Sequence, residues 1–266
     1  MSTRALRTAA SGMYAQQLNI EVVSNNIANI NTTGFKKNKA DFQDLMYQEV
    51  NINPLTSETP GVEQTTTSKI QIGNGVKPAA SSKIFIQGDI TQTNNQLDLA
   101  IQGDGFFQVR RADGTFVYTR DGSFKLNADG KIVTSSGFQL EPGFVLPQDI
   151  ESLQIGKDGS VVANLVGGGN NVLGTIELAR FMNNAGLMAI GDNLYVETPA
   201  SGQPIIGTPG DQGFGTINQG YLEASNVDIV EEMIAMIAAQ RAYEINSKTV
   251  KTVEEMMTMA NNLKRG

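Results

Sequence analysis

The sequence predicts a mixed α and β chain: long N- and C-terminal helices forming a coiled-coil-like domain, with an inserted all-β domain and an extended arm. Three observations carry this expectation. Residues 227–263 place apolar side chains at helical spacing without a single Pro or Gly. Residues 6–30 repeat that spacing at the other end of the chain. Between them, short apolar runs alternate with Asp-Gly pairs, the strongest short-range hairpin signal. The expected boundaries are 1–34 plus 223–266 for the terminal helical domain, 35–80 for the linker and arm, and 81–222 for the all-β domain.

The C-terminal stripe runs through Ile229, Met233, Met236, Tyr243, Val250, Val253, Met257 and Ala260, interrupted on its polar side by Gln240 and Ser247. Asp228 can cap this helix, with Glu231 in capping-box register. At about 1.5 Å per residue the helix is about 50 Å long, and a helix of that length needs a partner along it. The N-terminal pattern is Leu6, Ala9, Met13, Gln16, Ile20, Val23, Ile27, Ile30, in alternating steps of three and four. That is an a/d seam sustained for more than three heptads. Gly12 weakens the helix by about 1 kcal/mol relative to Ala. The helix is expected to end near Asn31, ahead of Thr32, Thr33 and Gly34. Two readings stay open: an amphipathic helix on a globular core, or a coiled coil between the terminal helices or between subunits. Terminal placement favours the second, because both ends bracket a middle of another kind.

After the first helix, Phe42, Leu45, Met46 and Tyr47 offer a short apolar anchor, and Asn51 to Gly75 is poor in large apolar residues. Such composition suits an extended arm or loop, with extended pieces at Ser68–Ile72. Strands are expected at Lys83–Ile86, Leu97–Ile101, Phe106–Val109, Phe116–Tyr118, Phe124–Leu126 and Ile132–Thr134. More follow at Ser160–Leu165, Thr175–Phe181 and Asn193–Glu197. Asp113-Gly114 and Asp129-Gly130 suggest two successive hairpins, and Asp158-Gly159 a further turn. Closely spaced short strands indicate a sandwich or barrel-like domain rather than βαβ units.

Composition narrows the chemistry. The chain has no His and no Cys, which removes the commonest transition-metal ligands and most nucleophile–base pairs. A net charge of −7 disfavours nucleic acid, and no run of about eighteen apolar residues offers a membrane span. The N-terminus lacks the apolar core of a secretory signal. Arg4 and Arg7 resemble a transit peptide, but a cleaved peptide has no reason to share a heptad pattern that runs past residue 20. Gly73-Asn-Gly75, Gly103-Asp-Gly105 and Gly167-Gly168-Gly169 lack the Lys-Ser or Lys-Thr of a phosphate loop. The Asp-Gly pairs lack the spacing of a calcium loop, and no acid pair stands out for glycoside hydrolysis. The methionines of the tail (Met233, Met236, Met256, Met257, Met259) read as a packing seam or as an adaptable groove. No catalytic residue, metal ligand or cofactor is expected.

The segment Leu18-Asn-Ile-Glu-Val-Val-Ser-Asn-Asn-Ile-Ala-Asn-Ile-Asn-Thr-Thr-Gly-Phe-Lys36 resembles the signature of flagellar basal-body rod and hook proteins. So do Leu97-Asp-Leu-Ala-Ile-Gln-Gly-Asp-Gly-Phe-Phe107 and Tyr118-Thr-Arg-Asp-Gly-Ser-Phe124. Gly220-Tyr-Leu-Glu-Ala-Ser-Asn-Val227, Gln240-Arg-Ala-Tyr-Glu-Ile-Asn-Ser-Lys248, Phe181–Leu187 and Gly191–Tyr195 resemble the distal-rod branch. The resemblance implies a structural subunit that self-assembles into a stiff helical tube and transmits motor torque to the hook. It implies periplasmic placement and type III export without a cleaved signal peptide. It implies as partners further copies of itself, proximal-rod and hook proteins, the surrounding rings, the export apparatus and assembly caps. It also gives residues 40–80 the role of bracing neighbours. The assembly interface it points to is Leu6, Met13, Ile20, Val23, Asn26, Ile27, Asn29 and Ile30, with Ile229, Met233, Met236, Gln240, Tyr243, Val250 and Met257. Asn25, Asn26, Asn29 and Asn31 would bond neighbouring backbone or fix helix register, or else cap the helix. Terminal helices that are marginal alone would order on assembly, and a tube needs heterologous, non-closing contacts. The alternatives are a proximal-rod subunit, a secreted adhesive fibre protein and a β-domain hydrolase.

Overall fold

Two helices and twenty short strands make up the computed structural model, which describes residues 2–51, 69–147, 149–166 and 169–263. The expected conformation of residues 52–68 and the turn at Gly167-Gly168 lie outside the described residues. The chain divides into two units: Met1–Ser24, Lys39–Ser81 and Val230–Gly266 form one, Asn25–Asn38 and Ser82–Ile229 the other.

In the first unit, α1 (Ser2–Ala28) and α2 (Ile229–Leu263) follow the two periodic stretches. α2 has 35 residues, about 52 Å at about 1.5 Å per residue. Gly12 does more than weaken α1: a Cβ there would sit 2.8 Å from Nδ2 of Asn246, so glycine permits the helices to approach. Arg4, Ala5, Thr8 and Ala9 line a cavity with Asn246 and Thr249. α1 stops at Ala28, three residues before the expected Asn31. There the hydrogen bonds tighten to Ile30 N→Ile27 O and Thr32 N→Asn29 O, while Asn29 Nδ2 takes up the carbonyl of Asn25 at 2.9 Å. Short polar side chains thus compete with the helical ladder.

Residues expected to form an arm are paired strands. β1 (Asn38–Asp44) pairs with β4 (Val76–Lys83), and β2 (Gln48–Asn51) runs antiparallel to β3 (Lys69–Ile72). Their side chains are largely polar, so backbone pairing rather than apolar burial defines them. A reading based on apolar runs passes over such strands.

The second unit carries β5 (Ile90–Gln92), β6 (Leu99–Gln102), β7 (Phe106–Arg110), β8 (Phe116–Thr119), β9 (Lys125–Leu126), β10 (Ile132–Val133) and β11 (Gln139–Leu140). β12 (Ile150–Ile155), β13 (Ser160–Leu165), β14 (Asn170–Thr175), β15 (Leu178–Arg180), β16 (Met188–Gly191) and β17 (Leu194–Val196) follow. β18 (Ile205–Gly207), β19 (Thr216–Gln219) and β20 (Tyr221–Glu223) complete it. Nine strands form one sheet in the order β16-β17-β8-β7-β11-β10-β9, with β15 joining β7 to β18. β12-β13-β14 form a second sheet, while β6 pairs with β19 and β5 with β20. β7 is buried on both faces: Phe107 and Val109 join a core with Leu153, Ile155 and Val161 of the second sheet. Phe106 joins Tyr118, Phe181 and Tyr195 on the opposite side.

Asp113-Gly114 turns β7 into β8, Asp129-Gly130 turns β9 into β10, and Asp158-Gly159 turns β12 into β13. Gly114 has φ +85°, a conformation L side chains adopt at a cost. The aspartates are engaged in the turns: Asp113 Oδ1 accepts from Thr115 N and Oγ1, and Asp158 Oδ1 from Ser160 N and Oγ. These bonds hold both carboxyls below their usual range. The run Lys83–Ile86 is not a strand beyond Lys83, because its carbonyls serve side chains instead of a ladder.

Gly122 lies so close to β6 that a Cβ would overlap the carbonyl oxygen of Leu99. Gly122→Ala is expected to cost about 3 kcal/mol or more by overpacking. Gly114→Ala, whose Cβ meets nothing within 4 Å, should cost about 1–2 kcal/mol for its backbone alone. Urea unfolding of the two variants checks the ranking, and equal losses would contradict it.

Candidate assembly interface

The candidate residues on α1 and just after it are covered by the chain itself. Leu6, Met13, Ile20, Ile27, Asn29 and Ile30 are half-buried, and Val23 and Asn26 are buried. On α2 the candidates split. Met236, Val250 and Met257 are half-buried on the side that carries buried Glu232 and Ala239. Ile229, Met233, Gln240 and Tyr243 are exposed. The stripe read from the sequence therefore runs along the border between two sides of the helix.

The outer side of α2 holds a second apolar stripe that the sequence reading missed. Val230, Ile234, Ile237, Ile245, Met256, Met259 and Leu263 are all exposed there. With Arg241, Lys248 and Thr252 filling the gaps, every step along the stripe is three or four residues. A helix that is apolar on both sides has use for two partners. α1 covers only one side.

In the second unit, the segment following α1 and the segment preceding α2 meet at a buried ionic cluster. Lys36, Arg120 and Glu223 are all removed from solvent. Lys36 Nζ lies 2.5 Å from Glu223 Oε1 and donates to Ile86 O at 2.8 Å. Arg120 Nη1 reaches Glu223 Oε2 at 3.4 Å, and Gly88 N donates to Glu223 Oε1 at 3.0 Å. The Arg120 guanidinium also lies 5.2 Å from the centroid of Phe106. Burial lowers the pKa of Lys36 despite the neighbouring Glu223, and burial likewise lowers that of Arg120.

Asparagines stitch the same region. Asn26 donates Nδ2 to Asn38 O and accepts Asn38 N on Oδ1, both at 2.9 Å, so its amide imitates a strand neighbour. Asn226 donates to Ile84 O and Ile86 O and accepts from Lys37 N. Asn193 Nδ2 donates to Thr33 O at 2.9 Å. The amide of Asn26 is therefore satisfied within the chain, while Asn29 serves the turn that ends α1.

Three family models match the chain. One for flagella basal body rod proteins covers residues 6–36, one for the flagellar hook protein FlgE/F/G D1 domain covers 100–163, and one for the flagellar basal body rod FlgEFG protein C-terminal region covers 218–263. Each matched stretch supplies one member of the buried cluster: Lys36, Arg120 and Glu223. The chain belongs to the flagellar basal-body rod protein family, whose members are structural. The flagellar basal-body rod protein FlgG of Borreliella burgdorferi is 49% identical over 266 residues, covering 98% of this chain and 99% of that protein. FlgG of Caulobacter vibrioides is 47% identical over 262 residues, with 98% and 99% covered. FlgG of Bacillus subtilis is 39% identical over 267 residues, again with 98% and 99% covered.

Glu223→Gln would leave two cations facing each other without a carboxylate. Its expected cost is about 3–5 kcal/mol, the range for breaking a buried pair. Lys36→Met leaves Glu223 with Arg120 and should cost less. Chemical denaturation of both variants tests this, and the reverse order would mean that Lys36 rather than Glu223 organises the cluster.

Proposed function

We propose that this rod protein is a distal-rod subunit that polymerises into a stiff helical tube and passes motor torque to the hook. One observation supports the polymer above others: α2 is apolar on both sides, and the outer stripe from Val230 to Leu263 is uncovered in the single chain. The occupant that suits it is a second copy of the chain, since a rod is a polymer of its subunit. Packing of α1, α2 and their copies would be coiled-coil-like, continuing the three–four spacing of both helices.

The magnitudes favour a polymer over an isolated dimer. Seven outer-stripe side chains, at about 1.5 kcal/mol each, yield roughly 10 kcal/mol gross. Association costs about 4–15 kcal/mol in lost freedom. One seam is thus near balance. A growing end that offers several neighbours at once tips it towards binding, and dilute subunits stay apart. Such a subunit also suits export as an unfolded chain, with its terminal helices gaining their full order on assembly. Near-complete alignment with the FlgG relatives favours the distal over the proximal rod. Periplasmic placement, contacts with hook and proximal-rod proteins, and the surrounding rings go with that reading. Among the described residues, no helix is long and apolar enough to cross a membrane.

Ile234→Glu combined with Ile237→Glu places two charges on the outer stripe without touching the side that faces α1. The doubly substituted chain is expected to stay folded by circular dichroism, to sediment as monomer where the parent forms tubes, and to leave cells non-motile. Tubes formed at the parent's critical concentration would sink the proposal.

A further inference from the structure

Five of the chain's ten methionines lie in α2, and they divide between its two sides. Met236 and Met257 are half-buried on the side that carries Glu232 and Ala239. Met233, Met256 and Met259 are 52%, 61% and 60% exposed. Met256 and Met259 belong to the outer stripe near Leu263. Met233 borders the other end of that stripe, one turn from Ile237. The chain has no Cys, Trp or His, so these thioethers are the most oxidisable accessible groups on the helix.

We propose that Met233, Met256 and Met259 form an oxidation-sensitive site on the unassembled subunit, at which peroxide converts a polymerisation-competent stripe into one the polymer rejects. The inference rests on the polymer reading above. In the reaction a sulfur lone pair attacks one peroxide oxygen and the O–O bond breaks. That oxygen stays on sulfur as the sulfoxide, and the other leaves as water after proton transfer. Sulfur is oxidised by two electrons and one peroxide is reduced. The flexible apolar side chain becomes polar. In the seam the new oxygen would lose its water among a stripe whose exposed members include Ile234, Ile237, Ile245 and Leu263, and that desolvation is costly. Once buried in a seam, the same sulfurs are shielded from peroxide, so the site distinguishes free subunits from assembled ones.

Two further methionines provide an internal control. Met46 and Met182 are each 87% exposed and lie outside α2, so they oxidise readily without altering the stripe. The full chain is treated with hydrogen peroxide while monomeric, oxygen uptake is mapped by peptide mass, and assembly is followed by sedimentation. Sulfoxide at the three positions is expected to raise the critical concentration by at least about tenfold. Methionine sulfoxide reductases should restore assembly. A chain carrying Met233→Leu, Met256→Leu and Met259→Leu serves as its own reference: whatever its critical concentration relative to the parent, that value should be the same before and after peroxide, although Met46 and Met182 are oxidised. The inference alone is overturned if parent chain carrying the three sulfoxides assembles as untreated chain does, or if the Leu variant loses assembly on peroxide to the same extent as the parent. Untreated chain that never polymerises overturns the polymer reading and this inference together.

Discussion

Two cations and one carboxylate sit out of water where the segments flanking the two helices meet the β strands, and the rest of the second unit is arranged around satisfying them. Taking an ion from water costs several kcal/mol even after relaxation, and only good geometry with further hydrogen bonds offsets it. Glu223 therefore needs Lys36, Arg120 and the Gly88 amide together, and Lys36 in turn needs the Ile86 carbonyl. These groups come from residues far apart in sequence, so the cluster forms only when the segment after α1, the end of β8 and β20 have all arrived. An apolar core tolerates several packings; three charges with one carboxylate between them tolerate few. The pairing of Gly34 N with Glu223 O at 2.8 Å adds a backbone bond at the same place. The asparagines at 26, 193 and 226 extend the arrangement: Asn26 and Asn226 bond backbone beside β1 and after β4, and Asn193 donates to the carbonyl of Thr33 in the turn after α1. Burial of Lys36 thereby fixes on the β strands both the chain that leaves α1 and the chain that enters α2.

The helical unit follows a different logic. Its long helix keeps one side for α1, approached closely at Gly12, and leaves the other apolar side in water. A monomer designed only for solubility would place charges there. Arg241 and Lys248 interrupt the outer stripe without removing it. The Arg241 guanidinium pairs with Glu244 on the same helix at 2.9 Å. The half-buried inner methionines and the exposed outer ones show the same side-chain chemistry used twice, once for internal packing and once where contacts must adapt.

How much of this was legible depended on whether the signal was local. The helices follow from the three–four spacing, and α2, described from Ile229 to Leu263, occupies a stretch free of Pro and Gly. The hairpins at Asp113-Gly114 and Asp129-Gly130 and the turn at Asp158-Gly159 follow from the Asp-Gly pairs. Asp113 and Asp158 accept from residues two further on, while Asn127 accepts from Asp129 N and Lys131 N in the middle turn. β3 coincides with the extended piece expected at Ser68–Ile72, whereas the polar strands β1, β2 and β4 carry no apolar period to announce them. The outer stripe is harder to read because Arg241, Lys248 and Thr252 interrupt its apolar positions, whereas the stripe through Met233, Met236 and Tyr243 is more continuous in sequence. The ion cluster was beyond local reasoning altogether. Lys36 lay inside a recognised motif, as did Arg120 and Glu223, yet nothing in the spacing announced that the three would meet.

The last contrast concerns edges. A sheet edge with free N–H and C=O groups pairs with any passing strand, and that association is poorly selective. β12 meets this risk with side chains: Gln96 Oε1 accepts Leu153 N, and Gln219 accepts Ile155 N while donating to Leu153 O. Amides from two other segments thereby occupy backbone positions that a foreign strand would use. The exposed apolar stripe of α2 is a surface of another kind, where recognition runs through the order and size of side chains rather than through backbone that is the same in every protein. For a chain that has to meet many copies of itself in one register, that division puts association on the surface able to specify it.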